Sequence, residues 1–280
     1  MGEIINVKEI IERKKLELKD KIEELNKEGI NPKLVVIHAN QDEASNVYIS
    51  KKRKMCEELG ILEEEYDFDE NVTQTDILEL IEKLNNDKTV HGILVQLPIY
   101  NHLDTSEILE AISPSKDVDG FHPVNIGKIM QGTGGIAPCT PKGVMTILEE
   151  LGIEIEGKKA TVVGRSIIVG RPMGALLLNK GATITTCHSK TTNLKEHTKN
   201  ADILVVAVGK PHLVTEEMVK EGAIVIDVGI NRVDGKLIGD VDTENVAKKA
   251  KYITPVPGGV GLTTVYTLME NVVELAEKSK

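Results

Sequence analysis

Short apolar runs rich in β-branched residues alternate with amphipathic helical stretches along the whole chain, and this alternation restricts the fold more than any other feature. Strands that alternate with helices form βα units, whose strands pair in parallel. In the first half the pattern predicts strands at Leu34–His38 and Gly92–Leu97. It predicts helices over about residues 5–28, over a segment that ends at Gly60, and from Thr75 onward. The predicted fold class is therefore α/β.

The second half repeats the pattern more regularly. Its continuous apolar runs predict strands that helices cover on both faces, as in a doubly wound sheet. The predicted elements are strands at Lys159–Val163, Ala182–Cys187, Ile203–Val208, Ala223–Val228 and Tyr252–Pro255, and a closing helix from about Thr264.

With 280 residues, the chain is long enough for two domains that each have a core. Glycine and proline cluster between Asp117 and Pro141, and such a composition break is typical of a domain junction. We predict one domain over residues 1–120, with a C-terminal helix at about 264–280 packing back on it. A second domain is predicted over residues 140–263.

Charge and cysteine usage exclude several classes of protein. The formal net charge is -10, which argues against a sequence-independent nucleic-acid binder. Cys56, Cys139 and Cys187 form no Cys-x-x-Cys pair, so they indicate a reducing compartment and no structural zinc site. The histidines show no His-x-x-x-His or Glu-x-x-His spacing, and we predict no metal site.

The hydropathy of the chain predicts no membrane-spanning helix. No run approaches the roughly 20 consecutive apolar residues that a spanning helix requires. The N-terminal stretch reads as a charged amphipathic helix, whereas a secretory signal would carry an apolar segment there. We therefore expect a cytoplasmic location.

Tyr48 and Lys52 lie four residues apart in a predicted helix, within the segment 45–54 (SNVYISKKRK). Residues at i and i+4 share a helix face, so an aromatic ring and a titratable amine would project side by side. Only 2% of the chain is aromatic, which argues against routine core filling by this tyrosine. Taken alone, the pair fits a solvated basic helix face better than an active site.

A glycine-rich turn, Gly164–Gly170, follows the predicted strand Lys159–Val163 and precedes a helix. Such a junction directs backbone amides and a helix N-terminus at a pyrophosphate. Ser166 replaces the second glycine of Gly-x-Gly-x-x-Gly. The motif alone therefore fits a structural turn as well as a dinucleotide site.

The end of the next predicted strand favours NADP over NAD. An NAD site has an acidic residue roughly 20 residues beyond the turn, where it holds the ribose hydroxyls. This chain has Ser189 and Lys190 there, and Arg165 lies in the turn. Cationic and hydroxyl side chains suit a 2′-phosphate, although Arg165 could also be an ordinary solvated arginine.

Further segments complete a pattern that extends over nearly the whole chain in order. They are Gly92–Pro98 (GILVQLP), Lys116–Pro123 (KDVDGFHP), Pro138–Pro141 (PCTP) and Thr254–Gly261 (TPVPGGVG). Together with Tyr-x-x-x-Lys and the glycine-rich turn, they make the chain closely resemble the bifunctional methylene-tetrahydrofolate dehydrogenase/methenyl-tetrahydrofolate cyclohydrolase family. Short-chain dehydrogenases carry Tyr-x-x-x-Lys after the glycine-rich turn and in the same domain, so the order found here excludes them.

The resemblance implies a two-domain α/β protein with a cleft between the domains. The N-terminal domain would bind folate and catalyse, and the C-terminal domain would be a Rossmann-type NADP-binding domain. The resemblance also implies NADP as cofactor, a small-molecule folate substrate and a homodimer.

Carried onto this chain, the family pattern gives roles to individual residues. Tyr48 would stack on the aminobenzoyl part of folate, and Lys52 would be the catalytic lysine with Gln96 as its hydrogen-bonding partner. Asp119 would grip the pterin. The folate-binding set is Tyr48, Lys52, Val95, Gln96, Leu97, Asp119, Pro257, Gly258, Gly259, Val260 and Gly261, and the NADP-binding set is Gly164, Arg165, Ser166, Ser189 and Ile230.

Asp117 is the rival of Asp119 for the pterin. An ionised carboxylate matches the adjacent N–H donors of an aminopyrimidinone ring, and either residue could supply it. Either could equally form a turn through its own backbone. Only the alignment to the family pattern selects Asp119.

The chain departs from the family pattern at two places. Leu262-Thr263 follow the last glycine turn where the family has Pro-Met, so a proline that would fix φ is missing. Lys51 precedes Lys52 where the family has a smaller or uncharged residue, and its charge favours the neutral form of Lys52.

The two reactions place different demands on the protein. Oxidation of methylene-tetrahydrofolate needs mainly positioning, because the folate nitrogen assists hydride departure. Hydrolysis of the methenyl product needs a base near neutrality, whereas an ordinary lysine, with a pKa of about 10.4, is protonated at pH 7. Burial, the cationic substrate and the nearby cations are expected to neutralise Lys52; those cations are Lys51, Arg53 and Lys54.

Other functions are compatible with parts of the pattern. They are a monofunctional dehydrogenase, a two-domain NADP reductase similar to shikimate dehydrogenase, and a non-catalytic sensor of NADP or folate. The joint presence of Tyr48, Lys52, Gln96 and Asp119 argues against the first two, and an intact Lys52 argues against the sensor.

Overall fold

The computed structural model describes residues 2–41 and 43–280, without the side chains of residues 43–48. The strands are β1 (Glu3–Ile4), β2 (Lys33–His38), β3 (Leu62–Asp67), β4 (Gly92–Gln96), β5 (Lys159–Val163), β6 (Thr183–Cys187), β7 (Ile203–Val206), β8 (Ile224–Asp227), β9 (Asn231–Val233), β10 (Lys236–Ile238) and β11 (Tyr252–Ile253). The α-helices are α1 (Val7–Lys27), α2 (Glu43–Leu59), α3 (Gln74–Asn86), α4 (Thr105–Ala111), α5 (Pro123–Gln131), α6 (Cys139–Glu150), α7 (Gly170–Asn179), α8 (Leu194–Thr198), α9 (Thr243–Val246) and α10 (Val260–Lys278).

The chain divides into two compact units, each made of two segments. Arg13–Cys139 and Val265–Lys280 form what we name the three-stranded unit, and Met1–Glu12 and Thr140–Thr264 form the six-stranded unit. The N-terminal segment belongs to the six-stranded unit because β1 pairs in parallel with β11. A two-residue strand is too short to show the alternation from which strands are predicted.

The three-stranded unit has a parallel sheet with the strand order β3-β2-β4. Its core joins the aliphatic residues of β2 and β4 to the buried face of α3, where Ile77, Ile81 and Leu84 follow the helical period. β2 and β4 end side by side, with His38 opposite Gln96. Because the strand order reverses between them, this edge is where an open α/β sheet binds its ligand.

The six-stranded unit has the strand order β1-β11-β8-β7-β5-β6, and all of its strands are parallel. β6 lies on one side of β5 and β7 on the other, so the order reverses at the carboxyl end of β5. This arrangement confirms the predicted doubly wound α/β sheet. Helices were predicted to cover the predicted strands of this sheet on both faces. β6 is only partly buried, because it is an edge strand.

Several elements were not predicted. The largest omission is β3, whose sequence LEEEYD has no apolar alternation. As an edge strand it has one strand neighbour, β2, and charged residues are typical of such edges. The Gly/Pro-rich stretch 117–141, predicted as a junction, contains α5, which His122 caps at its start and Gly132 ends in the left-handed conformation.

Candidate active site

Lys52 lies on α2 and Gln96 ends β4, and the structure brings their side chains together. The Lys52 Nζ donates a hydrogen bond of 2.7 Å to Gln96 Oε1. The Gln96 amide is held in this orientation because its Nε2 donates to the Leu97 carbonyl oxygen at 2.7 Å. The Gln96 amide, an uncharged acceptor, thus holds the Lys52 amine at the carboxyl edge of the sheet, where an open α/β sheet binds its ligand.

Burial is the physical cause that sets the charge of this amine. Desolvation lowers the pKa of Lys52 below its ordinary value, and Asp119 is the largest of the opposing influences. Burial, one of the expected causes, is confirmed as the largest influence on this pKa. The contribution expected from Lys51, Arg53 and Lys54 stays a prediction, and Arg53 forms a salt bridge with Glu65 on β3.

The two rival aspartates have different surroundings. Asp117 is buried and accepts backbone hydrogen bonds from Gly120, Phe121 and His122, at 3.0, 3.2 and 2.9 Å, and another from Asn125 Nδ2 at 2.9 Å. Asp119 has one partner among the described residues, the Cys139 Sγ at 3.8 Å. Asp117 is therefore committed to its own loop, whereas the Asp119 carboxylate is available to a ligand.

Burial raises the pKa of Asp119 to about 6, while the charge of Lys52 acts to lower it. The carboxyl group is consequently ionised for the most part at neutral pH, although it is poorly solvated. Such a carboxylate gains more from charge-assisted hydrogen bonds to a ligand than a solvated one does, because a solvated carboxylate already bonds to water.

The other residues of the predicted folate set are placed as follows. Tyr48 belongs to α2, but its side chain lies outside the part of the chain that the structure describes. Val95 is 2% exposed within the core of the three-stranded unit, so its side chain is committed to packing. Leu97 is half-buried next to Gln96.

The turn after β5 has the backbone of a phosphate-binding loop. Gly164 has a φ of +134°, and a Cβ there would lie 2.3 Å from the Ala207 carbonyl oxygen, so only glycine fits. The Ser166 hydroxyl accepts hydrogen bonds from the backbone N–H groups of Val169 and Gly170, at 3.1 and 3.4 Å. Ser166 thus fixes the backbone at the start of α7, where Val169 is the N-cap residue and the helix N-terminus lies at the carboxyl end of the sheet.

Arg165 and Ser189 follow neighbouring strands at the same edge. The Gly164 N–H donates to the Cys187 carbonyl oxygen at 2.9 Å, which joins the ends of β5 and β6. Arg165, Ser189 and Lys190 are all exposed. Their side chains have no hydrogen-bonding or ionic partner among the described residues, so these cations and hydroxyl fit the 2′-phosphate of NADP.

Two further predicted segments meet elsewhere in the six-stranded unit. Ile230 follows β8 and is 50% exposed. A Cβ on Gly261 would lie 3.4 Å from its Cδ1, so Ile230 contacts the turn Pro257–Gly261 at the start of α10. The contribution of this turn to folate binding stays a prediction.

Asp227 and Asp240 are buried residues whose importance the sequence did not indicate. Asp240 accepts backbone hydrogen bonds from Val208, Gly209 and Lys210 at 2.6, 2.9 and 2.7 Å. Asp227 accepts one from Gly229 at 2.9 Å and one from Asp240 at 3.0 Å. Together they fix the loops after β7 and β8, at the edge where the cofactor residues lie. Asp-x-Gly at 227–229 and Gly-Asp at 239–240 were the only signals.

We expect Asp240→Asn to destabilise the protein by about 2–4 kcal/mol, because it leaves buried backbone donors facing an amide in place of a carboxylate. Asp234→Asn, on the exposed turn between β9 and β10, is the matched control. Chemical denaturation measures both variants. Equal midpoints for the two would contradict the bracing role of Asp240.

Among the described residues, no cluster of histidine, cysteine or acidic side chains could hold a metal ion. None of the described helices combines the length and apolar character needed to cross a bilayer.

Comparison with known proteins agrees with the geometry in both units. The family described as tetrahydrofolate dehydrogenase/cyclohydrolase matches with its catalytic domain over residues 5–119 and with its NAD(P)-binding domain over residues 138–280. The bifunctional protein FolD of Acetivibrio thermocellus is 53% identical over 277 residues, which cover 99% of this chain and 97% of that protein.

Solved structures of related proteins also match the chain over nearly its whole length. The bifunctional FolD methylenetetrahydrofolate dehydrogenase/cyclohydrolase of Campylobacter jejuni superimposes with a TM-score of 0.97 at 49% identity, covering 99% of both chains. The Trypanosoma brucei methylenetetrahydrofolate dehydrogenase-cyclohydrolase (FolD), solved with NADP and an inhibitor, has a TM-score of 0.93 at 36% identity and covers 99% of this chain and 98% of its own. This chain belongs to the tetrahydrofolate dehydrogenase/cyclohydrolase family.

Proposed function

We propose that this protein is a bifunctional one-carbon folate enzyme. It oxidises methylene-tetrahydrofolate to methenyl-tetrahydrofolate with NADP, and it hydrolyses the methenyl product to 10-formyl-tetrahydrofolate. The observation that carries this proposal is the half-buried Lys52 amine, which is bonded to the uncharged Gln96 and has a lowered pKa. A non-catalytic binding protein would not need a tuned base.

Lys52 serves the hydrolytic reaction as general base. Water attacks the cationic methenyl carbon and must lose a proton, which a neutral amine can accept and an ammonium cannot. Gln96 accepts a hydrogen bond from one N–H of the amine, so the lone pair of the Lys52 nitrogen is directed elsewhere. Because Gln96 is uncharged, it does not raise the pKa of Lys52. Collapse of the adduct breaks the bond between the attacked carbon and N5, and N5 takes the remaining hydroxyl proton. The proton held by Lys52 passes to solvent.

Asp119 holds the pterin, and the support for this role is its unused carboxylate beside Lys52. The adjacent N–H donors of the aminopyrimidinone ring would replace the water that burial removes. Tyr48, Val95 and Leu97 complete the folate site in this proposal, with Val95 acting through its backbone because its side chain is in the core. The turn Pro257–Gly261 belongs to the same proposed set.

NADP would be held by Gly164, Arg165, Ser166, Ser189 and Ile230. When bound, it supplies the acceptor for the hydride of the oxidation. The chain's own part in that reaction is to bind and orient, because the departing hydride needs no general base. Arg165 and Ser189 would distinguish NADP from NAD at the 2′-phosphate.

We expect Arg165→Ala to lower the preference for NADP over NAD by about 10- to 100-fold, since it removes a charge-assisted hydrogen bond to the phosphate. Arg232→Ala, an exposed arginine on β9, should leave the preference unchanged. The measurement is the ratio of kcat/KM with the two cofactors. An unchanged ratio in Arg165→Ala would refute its assignment to the 2′-phosphate.

One assay tests the proposed function as a whole. Purified protein is mixed with methylene-tetrahydrofolate and NADP, and the methenyl absorbance is followed as it forms and then decays faster than in buffer. Formation without accelerated decay would identify a monofunctional dehydrogenase. No turnover, with both ligands bound, would identify a sensor. The homodimer implied by the family resemblance and the cytoplasmic location expected from the hydropathy stay predictions.

A further inference from the structure

A cavity of about 940 Å³ lies at the opposite edge of the sheet in the three-stranded unit. Its wall includes His91, directly before β4, and side chains that follow α3 or belong to α5 and α10. A strand rises about 3.3 Å per residue, so His91 lies about 16 Å along β4 from Gln96. The cavity is therefore separate from the Lys52 site.

The charge of this cavity is opposite to that of the protein. The formal net charge of the chain is -10, yet among the described residues that line the cavity none is acidic. Its cations are Lys88, Lys116, Lys128 and Lys278. A concave surface of one sign of charge concentrates small ions of the other sign.

The four lysines have different freedom to bind a ligand. Lys116 is fixed, because its Nζ donates to the carbonyl oxygens of Leu84 and Asp87 at 2.7 and 2.6 Å. Lys278 forms an exposed ion pair with Glu274. Lys88 and Lys128 are exposed, and their amines have no ion pair within the described part of the chain. These two amines can bind an anion in the cavity without breaking an ion pair.

His91 supplies a buried donor to the same wall. It is 7% exposed, and its Nδ1 accepts a hydrogen bond of 3.2 Å from the Lys33 backbone N–H. The ring proton is therefore on Nε2, which has no partner among the described residues. Burial and the charge of Lys116 lower the pKa of His91, so the ring is a neutral donor. An N–H group in this position favours a ligand that brings an acceptor.

We propose that this cavity binds a small, multiply charged, phosphate-bearing molecule. Its volume is within the range of roughly 300–1,000 Å³ that is usual for small-molecule sites. Several lysines set around one cavity match several negative charges. The hydroxyls of Ser113 and Ser115 bond to each other at 2.8 Å, which leaves one O–H group of the pair free to donate to a ligand. The site does not depend on the proposed folate chemistry.

Tripolyphosphate is the probe for this site, titrated at constant ionic strength into protein saturated with NADP so that the six-stranded unit is already occupied. Histidine ring resonances are followed by NMR. We expect the His91 signal to shift with saturable 1:1 binding and the signal of the exposed His212 to stay unchanged. Absence of a saturable shift at His91 with tripolyphosphate and also with ATP would overturn the proposal.

Charge reversal gives a second readout. The double variant Lys88→Glu/Lys128→Glu should bind tripolyphosphate at least tenfold more weakly, while Lys21→Glu, an exposed site on α1, should stay within twofold. Thermal unfolding checks that the variants fold, and the wild-type NMR result holds without them. Equal weakening by the double variant and the control would contradict a specific site.

A parallel titration with ATP separates two sources of phosphate. Binding of ATP at least tenfold tighter than tripolyphosphate, again reported by His91, would support the site and assign it to a nucleotide. Equal affinities would support it as a site for the phosphate groups alone. Failure of both compounds to bind would refute it.

Discussion

In Lys52→Met, cyclohydrolase activity should fall by about 100- to 10,000-fold, the usual contribution of a positioned general base. Dehydrogenase activity should fall by about tenfold or less, because it loses at most one hydrogen-bonding group near the folate. Methionine keeps the length and the apolar stem of lysine, so the packing of the half-buried side chain changes little. Both rates are measured on the same preparation with the assay described above.

Lys51→Met is the matched control, because it removes the same charge one residue earlier on the exposed face of α2. Both of its activities should remain near those of the wild type. Equal losses of the two activities in Lys52→Met would show that the lysine positions the folate and does not act as a base. A surviving cyclohydrolase would assign the proton transfer to another group.

Asp119→Asn should lower both activities by a similar factor, roughly 100-fold, since each reaction requires the same pterin contacts and the charge-assisted bonds are lost. Its stability should not fall. Burial raises the pKa of Asp119 to about 6, so the folded protein holds this proton more tightly than the unfolded chain does. The stability contributed by this group therefore declines as pH rises from about 4 to about 6, and the amide removes that decline.

Asp117→Asn is the informative comparison for Asp119→Asn. Asp117 accepts three backbone hydrogen bonds and one from Asn125. Asp117→Asn should therefore lose more stability than Asp119→Asn. Denaturation curves at pH 7 and the two activity assays distinguish the variants. Loss of only one activity in Asp119→Asn, or destabilisation comparable to that of Asp117→Asn, would contradict a pterin-binding role.

The sequence was sufficient for those parts of the fold that rest on apolar periodicity. β2, β4, β5, β7 and β8 are buried strands whose β-branched runs are visible without a structure. The edge strands β1 and β3 were missed because solvent, rather than a core, covers much of their surface. β3 carries three consecutive glutamates, and β1 has only two residues.

At the site, the sequence identified residues but not their environments. The pairing of Lys52 with Gln96 came from a family resemblance, and the distance between them required the fold. Burial was expected to neutralise Lys52 together with the cationic substrate and the neighbouring cations, and the structure shows burial as the largest influence that lowers its pKa. The family resemblance selected Asp119 over Asp117, whereas the physical difference between them, the backbone donors around Asp117, required the fold.

Direct titration of the Lys52 amine by NMR, with labelled lysine and assignment by comparison with Lys52→Met, tests the central claim most directly. The account predicts a pKa below the ordinary lysine value, and a further decrease in Asp119→Asn because the opposing carboxylate is gone. A pKa at or above the ordinary value in the wild-type protein would contradict it.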